Sequence, residues 1–294
     1  MIPSDEIGAG SSRFPRRPST MSPKSAGASF PPAARLGSDN AHLADLGVEL
    51  GDISLLRATS TLRRGRYADG FEVGVVTLNA DASASDRWHF EHGLEVMLAH
   101  EWEPGIVPIR DVGIARDSYA IACATGTLAD LQTLDLTLEL RLRILRQVGL
   151  TLSTLHASGC VHGCLAAHNV ILTQDLSPVL DEVAMVELAH RRHDDPARIL
   201  DYRAYAAPEA TSPGTPTPAG DVYAWGRLLE LMIGGERPVP GTSPEQVARR
   251  LGGRAPPSLI AVVATCLATD ATRRYPNVGA VLEAAELTTV PPLR

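Results

Sequence analysis

The sequence predicts an α+β fold in two unequal lobes: a small antiparallel β lobe carrying one main helix, then a larger helical lobe. The observations behind this begin with residues 62–78, LRRGRYADGFEVGVVTL, which read as two short strands around Asp69-Gly70. Asp-Gly favours a tight hairpin, and Phe71, Val73 and Val75 alternate on one face. Farther on, Leu138, Leu142, Leu145, Val148, Leu152 and Leu155 step by four, three, three, four and three. That spacing is one apolar face of a long helix, which Gly159 ends. Residues 220–234, GDVYAWGRLLELMIG, are apolar on nearly every side, as in a helix at the centre of a lobe.

The elements follow in chain order. Residues 1–45 are rich in Ser, Pro, Gly and Ala without an apolar period, so 1–48 is read as a disordered tail. From Arg13 to Arg35 that tail carries five basic residues and no acidic one. RRPST sets Ser19 and Thr20 behind Arg16 and Arg17, which suits an interaction or phosphorylation segment as well as a solvated tail. After the hairpin, residues 87–101 read as a helix and residues 105–113 and 118–124 as strands. NVILT (169–173) is a buried strand, and a last helix starts near Pro276, a residue suited to a first helical turn. The lobes are expected at 49–126 and 127–294, hinged near 121–127.

Composition narrows the classes of function. An apolar fraction of 44% builds a core, with aliphatic residues filling it because aromatics are only 4% of the 294 residues. The net charge of −7 argues against a general nucleic-acid binder. No apolar run reaches the roughly 18 residues of a membrane span. Four cysteines make no disulfide framework and no secretory leader is evident, so a cytoplasmic setting is expected. Of 27 Lys plus Arg, only Lys24 is lysine, so no later site can use an ammonium group. The abundance of Arg, Ala, Gly and Pro points to a GC-rich bacterial genome.

SGCVHGCLAAHNVIL (158–172) has the rhythm of a catalytic loop between a helix and a buried strand. It is followed in order by YAAPEA (205–210), DVYAWGRLLELMIGGERP (221–238) and DATRRYPNVGAVLEA (270–284). Together these stretches resemble the protein kinase superfamily, most closely its bacterial Ser/Thr type, over about residues 52–287. The resemblance implies the bilobal kinase-like fold. It also implies a set of chemical parts against which the residues present can be compared.

Phosphoryl transfer needs positioning and charge neutralisation more than covalent help. A kinase supplies a glycine-rich loop, a lysine with its glutamate partner, an aspartate for the substrate hydroxyl, and Asn and Asp for Mg²⁺. By the resemblance, the glycine loop falls at LLRATSTL (55–62), which contains no glycine, and the lysine falls at Val76. Arg63, Arg64 or Arg66 would have to stand in for that lysine. The glutamate falls near Gly93, flanked by Glu91 and Glu95. His162 matches the family's histidine, Gly163 its arginine, Cys164 its aspartate and Ala166 its loop lysine. A thiol with a pKa of about 8.5 is mostly neutral at pH 7 and accepts hydrogen bonds weakly, so Cys164 cannot orient a hydroxyl as a carboxylate does.

Asn169 is retained, and Asp181 in LDEVAM stands where the Mg²⁺-binding aspartate is expected. These two are the candidates for metal and nucleotide. Glu182 and Val183 replace the packing aromatic and the glycine beside Asp181, and a charged Glu182 is expected to stay out of the apolar slot. By resemblance, Glu209 pairs with Arg274, Asp221 accepts backbone N–H groups of the loop, and His162 packs beneath it. The implied function is a catalytically inactive kinase-like domain, a pseudokinase that regulates or scaffolds. No cofactor is expected beyond loosely held Mg-ATP, and the partner is a protein such as an active kinase or another signalling protein. The alternative is a divergent Ser/Thr kinase, or another phosphoryl or nucleotidyl transferase, using Asn169, Asp181 and an arginine. A zinc site from His156, Cys160, His162, Cys164 and His168 competes poorly, because helix end, turn and strand entry point those side chains apart. A nucleophilic Cys164 would have no ordered base beyond His162.

Overall fold

The computed structural model describes residues 46–56, 60–122, 126–128, 136–173, 175–185, 202–211 and 216–287. Ser19, Thr20 and nearly all of the expected tail lie outside these residues, as do 57–59 of the expected glycine loop and 123–125 of the expected hinge.

Five strands make an antiparallel sheet: β1 (Val48–Leu56), β2 (Ser60–Tyr67), β3 (Glu72–Leu78), β4 (Ile109–Val112) and β5 (Ser118–Ala122), ordered β1-β2-β3-β5-β4. The hairpin between β2 and β3 closes where the Tyr67 N–H donates to the Phe71 carbonyl at 2.9 Å and the Asp69 carboxylate accepts from the Phe71 N–H at 3.0 Å. Val73 and Val75 pack on one face with Leu46, Val48 and Ala120. On the opposite face, Leu62, Val76 and Leu78 enter the main core. Phe71 leaves the expected alternation because it precedes the strand; it is exposed, with the Arg110 guanidinium 4.0 Å above its ring.

Helix α1 (Ala84–Ala99) starts earlier than residue 87 because Ser83 and Asp86 cap each other. The Ser83 N–H donates to the Asp86 carboxylate at 2.7 Å, and the Asp86 N–H to Ser83 Oγ at 3.2 Å. Its apolar side buries Phe90, Leu94 and Met97. Residues 105–113 do not form one strand: Ile106 bridges to Leu180, Pro108 has no N–H to give, and β4 begins at Ile109. The Val107 N–H donates to the Leu180 carbonyl at 2.9 Å and the Leu180 N–H to the Gly105 carbonyl at 2.7 Å. These bonds tie the chain leaving α1 to the large lobe.

The large lobe holds a small sheet of β6 (Gly126–Thr127), β7 (Val170–Leu172) and β8 (Pro178–Leu180). Its helices are α2 (Leu138–Ala157), α3 (Tyr202–Tyr205), α4 (Pro218–Gly234), α5 (Pro244–Leu251), α6 (Pro257–Cys266) and α7 (Val278–Ala284). Helix α4 is buried from Asp221 through Ile233 and forms the lobe's centre. Leu145, Val148, Leu152 and Leu155 of α2 are buried, and Trp225 Nε1 of α4 donates to the Leu145 carbonyl at 3.3 Å. Helix α7 begins after Pro276, not at it, because the Asn277 side chain caps it by accepting from the Ala280 N–H at 3.0 Å.

Candidate functional site

The loop from Val161 to Asn169 joins α2 to β7 and hangs on one buried carboxylate. Asp221, in the first turn of α4, accepts through Oδ2 from the His162 N–H at 2.9 Å and from His156 Nε2 at 2.9 Å. Its Oδ1 accepts from the Gly163 N–H at 2.8 Å. Gly163 adopts φ +75°, open to a residue without Cβ, which lets two successive N–H groups face the same carboxylate. The Asn169 amide is used within the loop: Nδ2 donates to the Cys164 carbonyl at 2.7 Å, and Oδ1 accepts from the Ala166 N–H at 2.9 Å. The Cys164 thiol turns away from solvent and donates to the Glu182 carbonyl at 3.0 Å. His162 is fully buried, and burial holds its imidazole below the ordinary pKa despite the nearby Asp221 carboxylate. Its Nε2 has no hydrogen-bond partner among the described residues, which fits a neutral ring.

Asp181 and Glu182 are both buried in the turn after β8. Tyr119 on β5 donates its hydroxyl to Asp181 Oδ1 at 2.6 Å. Ser60, the first residue of β2, donates to Glu182 Oε1 at 2.5 Å, and Tyr202 on α3 donates to Glu182 Oε2 at 2.6 Å. Glu182, expected to stay out of an apolar slot, is nonetheless buried at 1% exposure, in a slot that hydroxyl donors line. Two hydroxyl donors replace its water, and hydrogen bonds to a charged acceptor are the strong kind. The turn reaches this shape through positive φ at Glu182 (57°) and Ala184 (62°), a conformation that costs roughly 1–2 kcal/mol for a residue with a Cβ. Glu182 thus joins the small lobe, the turn after β8 and α3 at a single side chain.

The positions where the resemblance puts the lysine and its glutamate are filled with apolar packing. Val76 is fully buried and belongs to the core cluster that includes Leu62, Tyr119 and Met185. A Cβ on Gly93 of α1 would lie 2.4 Å from Met185 Cγ and 2.7 Å from the Val183 carbonyl oxygen, so the turn after β8 occupies the space a glutamate would need. Glu95 is exposed and pairs with Arg116 at 3.4 Å, and Glu91 is half-buried. Of the strand arginines, Arg66 is exposed and pairs with Glu72 at 2.8 Å, Arg64 is exposed, and Arg63 is half-buried. Among the described residues, no group of three or more His, Cys, Asp or Glu side chains is arranged to hold a metal ion. The residues weighed for zinc part ways: His156 turns to Asp221, and Cys160 lies 3.7 Å from His100 Nε2.

Arg274 and Glu209 form a bidentate pair, Nη1 to Oε1 at 2.6 Å and Nη2 to Oε2 at 2.7 Å. Arg274 also donates to the Ala268 carbonyl at 2.8 Å and the Ala219 carbonyl at 3.0 Å. Burial pushes the Glu209 carboxyl up, but the Arg274 hydrogen bonds and charge outweigh it and leave the pKa below the ordinary value. A second buried pair, Arg227 Nη1 to Glu230 Oε2 at 2.7 Å inside α4, has no counterpart in the sequence reading. Nor do Ser60, Tyr119 and Tyr202, whose hydroxyls sit in ordinary strand and helix contexts and form no spaced motif.

A small antiparallel sheet with one main helix, set on a helical lobe whose loop hangs from a buried aspartate, is the architecture of a protein kinase domain. Residues 56–281 match the family described as protein tyrosine and serine/threonine kinase, and the chain belongs to that family. It is similar to a probable inactive receptor kinase of Arabidopsis thaliana, 26% identical over 204 residues, which cover 63% of this chain and 30% of the relative. A second probable inactive receptor kinase of that plant is 36% identical over 112 residues, 37% of this chain and 17% of the relative. The serine/threonine-protein kinase PkaA of Streptomyces coelicolor is 29% identical over 183 residues, 58% of this chain and 32% of the relative. The chain thus spans about a third or less of the length of these relatives. Among the described residues, no helix is long and apolar enough to cross a membrane.

Proposed function

We propose that this kinase-family domain does not transfer phosphate and acts as a pseudokinase, a regulatory or scaffolding module that binds protein. The observation that carries the reading is the buried bridge Ser60–Glu182–Tyr202, with Asp181 held beside it by Tyr119. The side chains at the phosphate end of the cleft are ligands of one another. Mg-ATP does not fit them as they stand. Val76 offers no cation, Gly93 has no room for a carboxylate, and both ends of the Asn169 amide are engaged within the loop. Glu182 adds a buried negative charge where a kinase would neutralise one. For the divergent-enzyme alternative, Asn169 Oδ1 would have to turn from the Ala166 N–H toward a metal, Asp181 would have to release Tyr119, and Glu182 would have to leave the cleft. A cytoplasmic setting and lobe limits of 49–126 and 127–294 belong to the same proposal.

A melting curve in millimolar Mg-ATP, run beside a radiolabel-transfer assay, tests the reading. The expected result is no transfer and no rise in melting temperature, since a ligand that binds only the folded state stabilises it in proportion to ln(1 + [L]/Kd). Transfer that disappears in an Asp181→Asn variant would overturn it.

A further inference from the structure

Two of the chain's three tryptophans stand in solvent around one helix of the small lobe. Trp88, in the first half of α1, is 58% exposed, and Trp102, just past its end, is 64% exposed, whereas Trp225 is buried in α4. The Trp88 ring stacks on His92 at 5.2 Å with planes 11° apart, and the Trp102 ring lies 6.2 Å from that of His100. Trp88, Glu91, His92 and Glu95 follow the helical repeat and form one stripe along α1. From Trp88 to the helix end is about 17 Å at 1.5 Å per residue.

The charge around these rings is mostly negative. Between residues 84 and 104 the only lysine or arginine is Arg87, against Asp86, Glu91, Glu95, Glu101 and Glu103. Arg87 pairs with Asp117 at 3.7 Å, Asp86 caps the helix, and Glu95 pairs with Arg116 at 3.4 Å. Glu91, Glu101 and Glu103 have no ion-pair partner among the described residues. The last turn of α1 carries no basic residue, and beyond the His100 cap, whose Nδ1 meets the Val96 carbonyl at 2.8 Å, the negative end of the helix dipole faces Glu101 and Glu103. Elsewhere the protein covers aromatic rings with guanidinium groups, Arg110 over Phe71 at 4.0 Å and Arg274 over Tyr223 at 5.0 Å. No such cation lies over Trp88 or Trp102 among the described residues.

We propose that α1 and the turn after it form a docking surface for an arginine-bearing segment of a partner protein. Guanidinium groups of that segment stack on Trp88 and Trp102 and pair with Glu91, Glu101 and Glu103. The acidic face repels nucleic acid and anionic membrane, and open indoles flanked by carboxylates suit a planar cation that stacks and donates at once. Lysine, a strongly hydrated point charge, gains less there. This inference rests on the protein-binding reading above and names the chemistry of the partner.

The test uses the full chain with nona-arginine as probe, beside nona-lysine and nona-glutamate, followed by calorimetry and indole fluorescence. Nona-arginine is expected to bind and to shift the emission of exposed indole, nona-lysine to bind about threefold more weakly, and nona-glutamate not to bind. Trp88→Ala and Glu91→Gln are each expected to weaken nona-arginine binding about threefold at an unchanged melting temperature. Glu283→Gln on α7 makes the same charge change and should leave affinity unaltered. Equal binding of nona-arginine and nona-lysine, or equal losses from Glu91→Gln and Glu283→Gln, would overturn the proposal by reducing it to net charge. Self-association of the chain that Trp88→Ala abolishes would also overturn it, since the face would then join two copies. Phosphoryl transfer in the assay above would sink the pseudokinase reading and leave this titration standing. A failed titration would leave the cleft reading intact.

Discussion

Asp221 and Asp181 are both buried aspartates beside the same loop, and they do different work. Asp221 takes the N–H groups of His162 and Gly163, so its grip depends on the loop's backbone, turned at Gly163, and not on the loop's reactive side chains. Asp181 and its neighbour Glu182 take side-chain hydroxyls from Tyr119, Ser60 and Tyr202. Backbone-directed bonds preserve a loop's shape through changes of its reactive residues, whereas side-chain-directed bonds settle what the loop is free to do. A cysteine where the resemblance expects an aspartate therefore leaves the backbone-held frame in place.

Breaking the frame is expected to have the largest effect. Asp221→Ala leaves the buried His162 N–H, the half-buried Gly163 N–H and His156 without their acceptor and should cost about 4 kcal/mol in urea unfolding. Arg274→Ala comes next. It strands Glu209 and frees carbonyls near both α4 and α6, but Glu209 is 40% exposed and water recovers part of the loss, so about 3 kcal/mol is expected. If either variant melts like the parent, the distinction between frame and cleft fails.

Changes in the cleft should cost less and reveal more. Glu182→Ala removes the shared acceptor of Ser60 and Tyr202 but also a buried charge, for a net loss of about 2 kcal/mol. Amide exchange is expected to speed up in β2 and α3 together, and loosening of only one would show that Glu182 is not a junction. Reinstating kinase residues sharpens the contrast. Gly93→Ala already collides with the Val183 carbonyl and Met185 and should cost roughly 1–3 kcal/mol. Cys164→Asp brings a third carboxylate against the Glu182 carbonyl, and radiolabel assays of that variant should show no transfer.

The frame was legible in the sequence because it rests on patterns. The leucine stripe of α2, the all-apolar α4 and the Asp-Gly hairpin each announce an element through periodicity or turn chemistry, and ordered motifs joined them into a family. The absent glycines and lysine were equally readable, since a missing residue type needs no coordinates. What could not be read was the internal replacement. Ser60, Tyr119 and Tyr202 are far apart in sequence, and a strand or helix hydroxyl has no spacing that betrays its partner. The cost of burying a charge argues against an apolar slot for Glu182, and the Ser60 and Tyr202 donors that offset that cost come from distant segments. The sequence places a glutamate near Gly93 with Glu91 and Glu95 beside it, and the tight packing that leaves no room at Gly93 comes from Val183 and Met185, residues of a different lobe.

The smallest expected effect concerns His162 and separates frame from cleft by pH. Burial holds its imidazole below the ordinary value while Asp221, Glu182 and Asp181 pull the other way, so the folded protein keeps the ring neutral where the unfolded chain takes up a proton. The sign follows from linkage: the contribution is complete above the unfolded pKa of about 6.5 and is lost as pH falls toward the folded value, with a ceiling of about 1.4 kcal/mol per pH unit for one proton. Glu209 also loses stability on acidification, but within the carboxylate range below it, so the windows do not overlap. Urea midpoints measured from pH 8 down to pH 5 should therefore fall more steeply for the parent than for His162→Gln below about pH 6.5. Parallel curves for the two proteins would mean that His162 is protonated in the fold. The loop would then carry a buried cation beside Asp181 and Glu182.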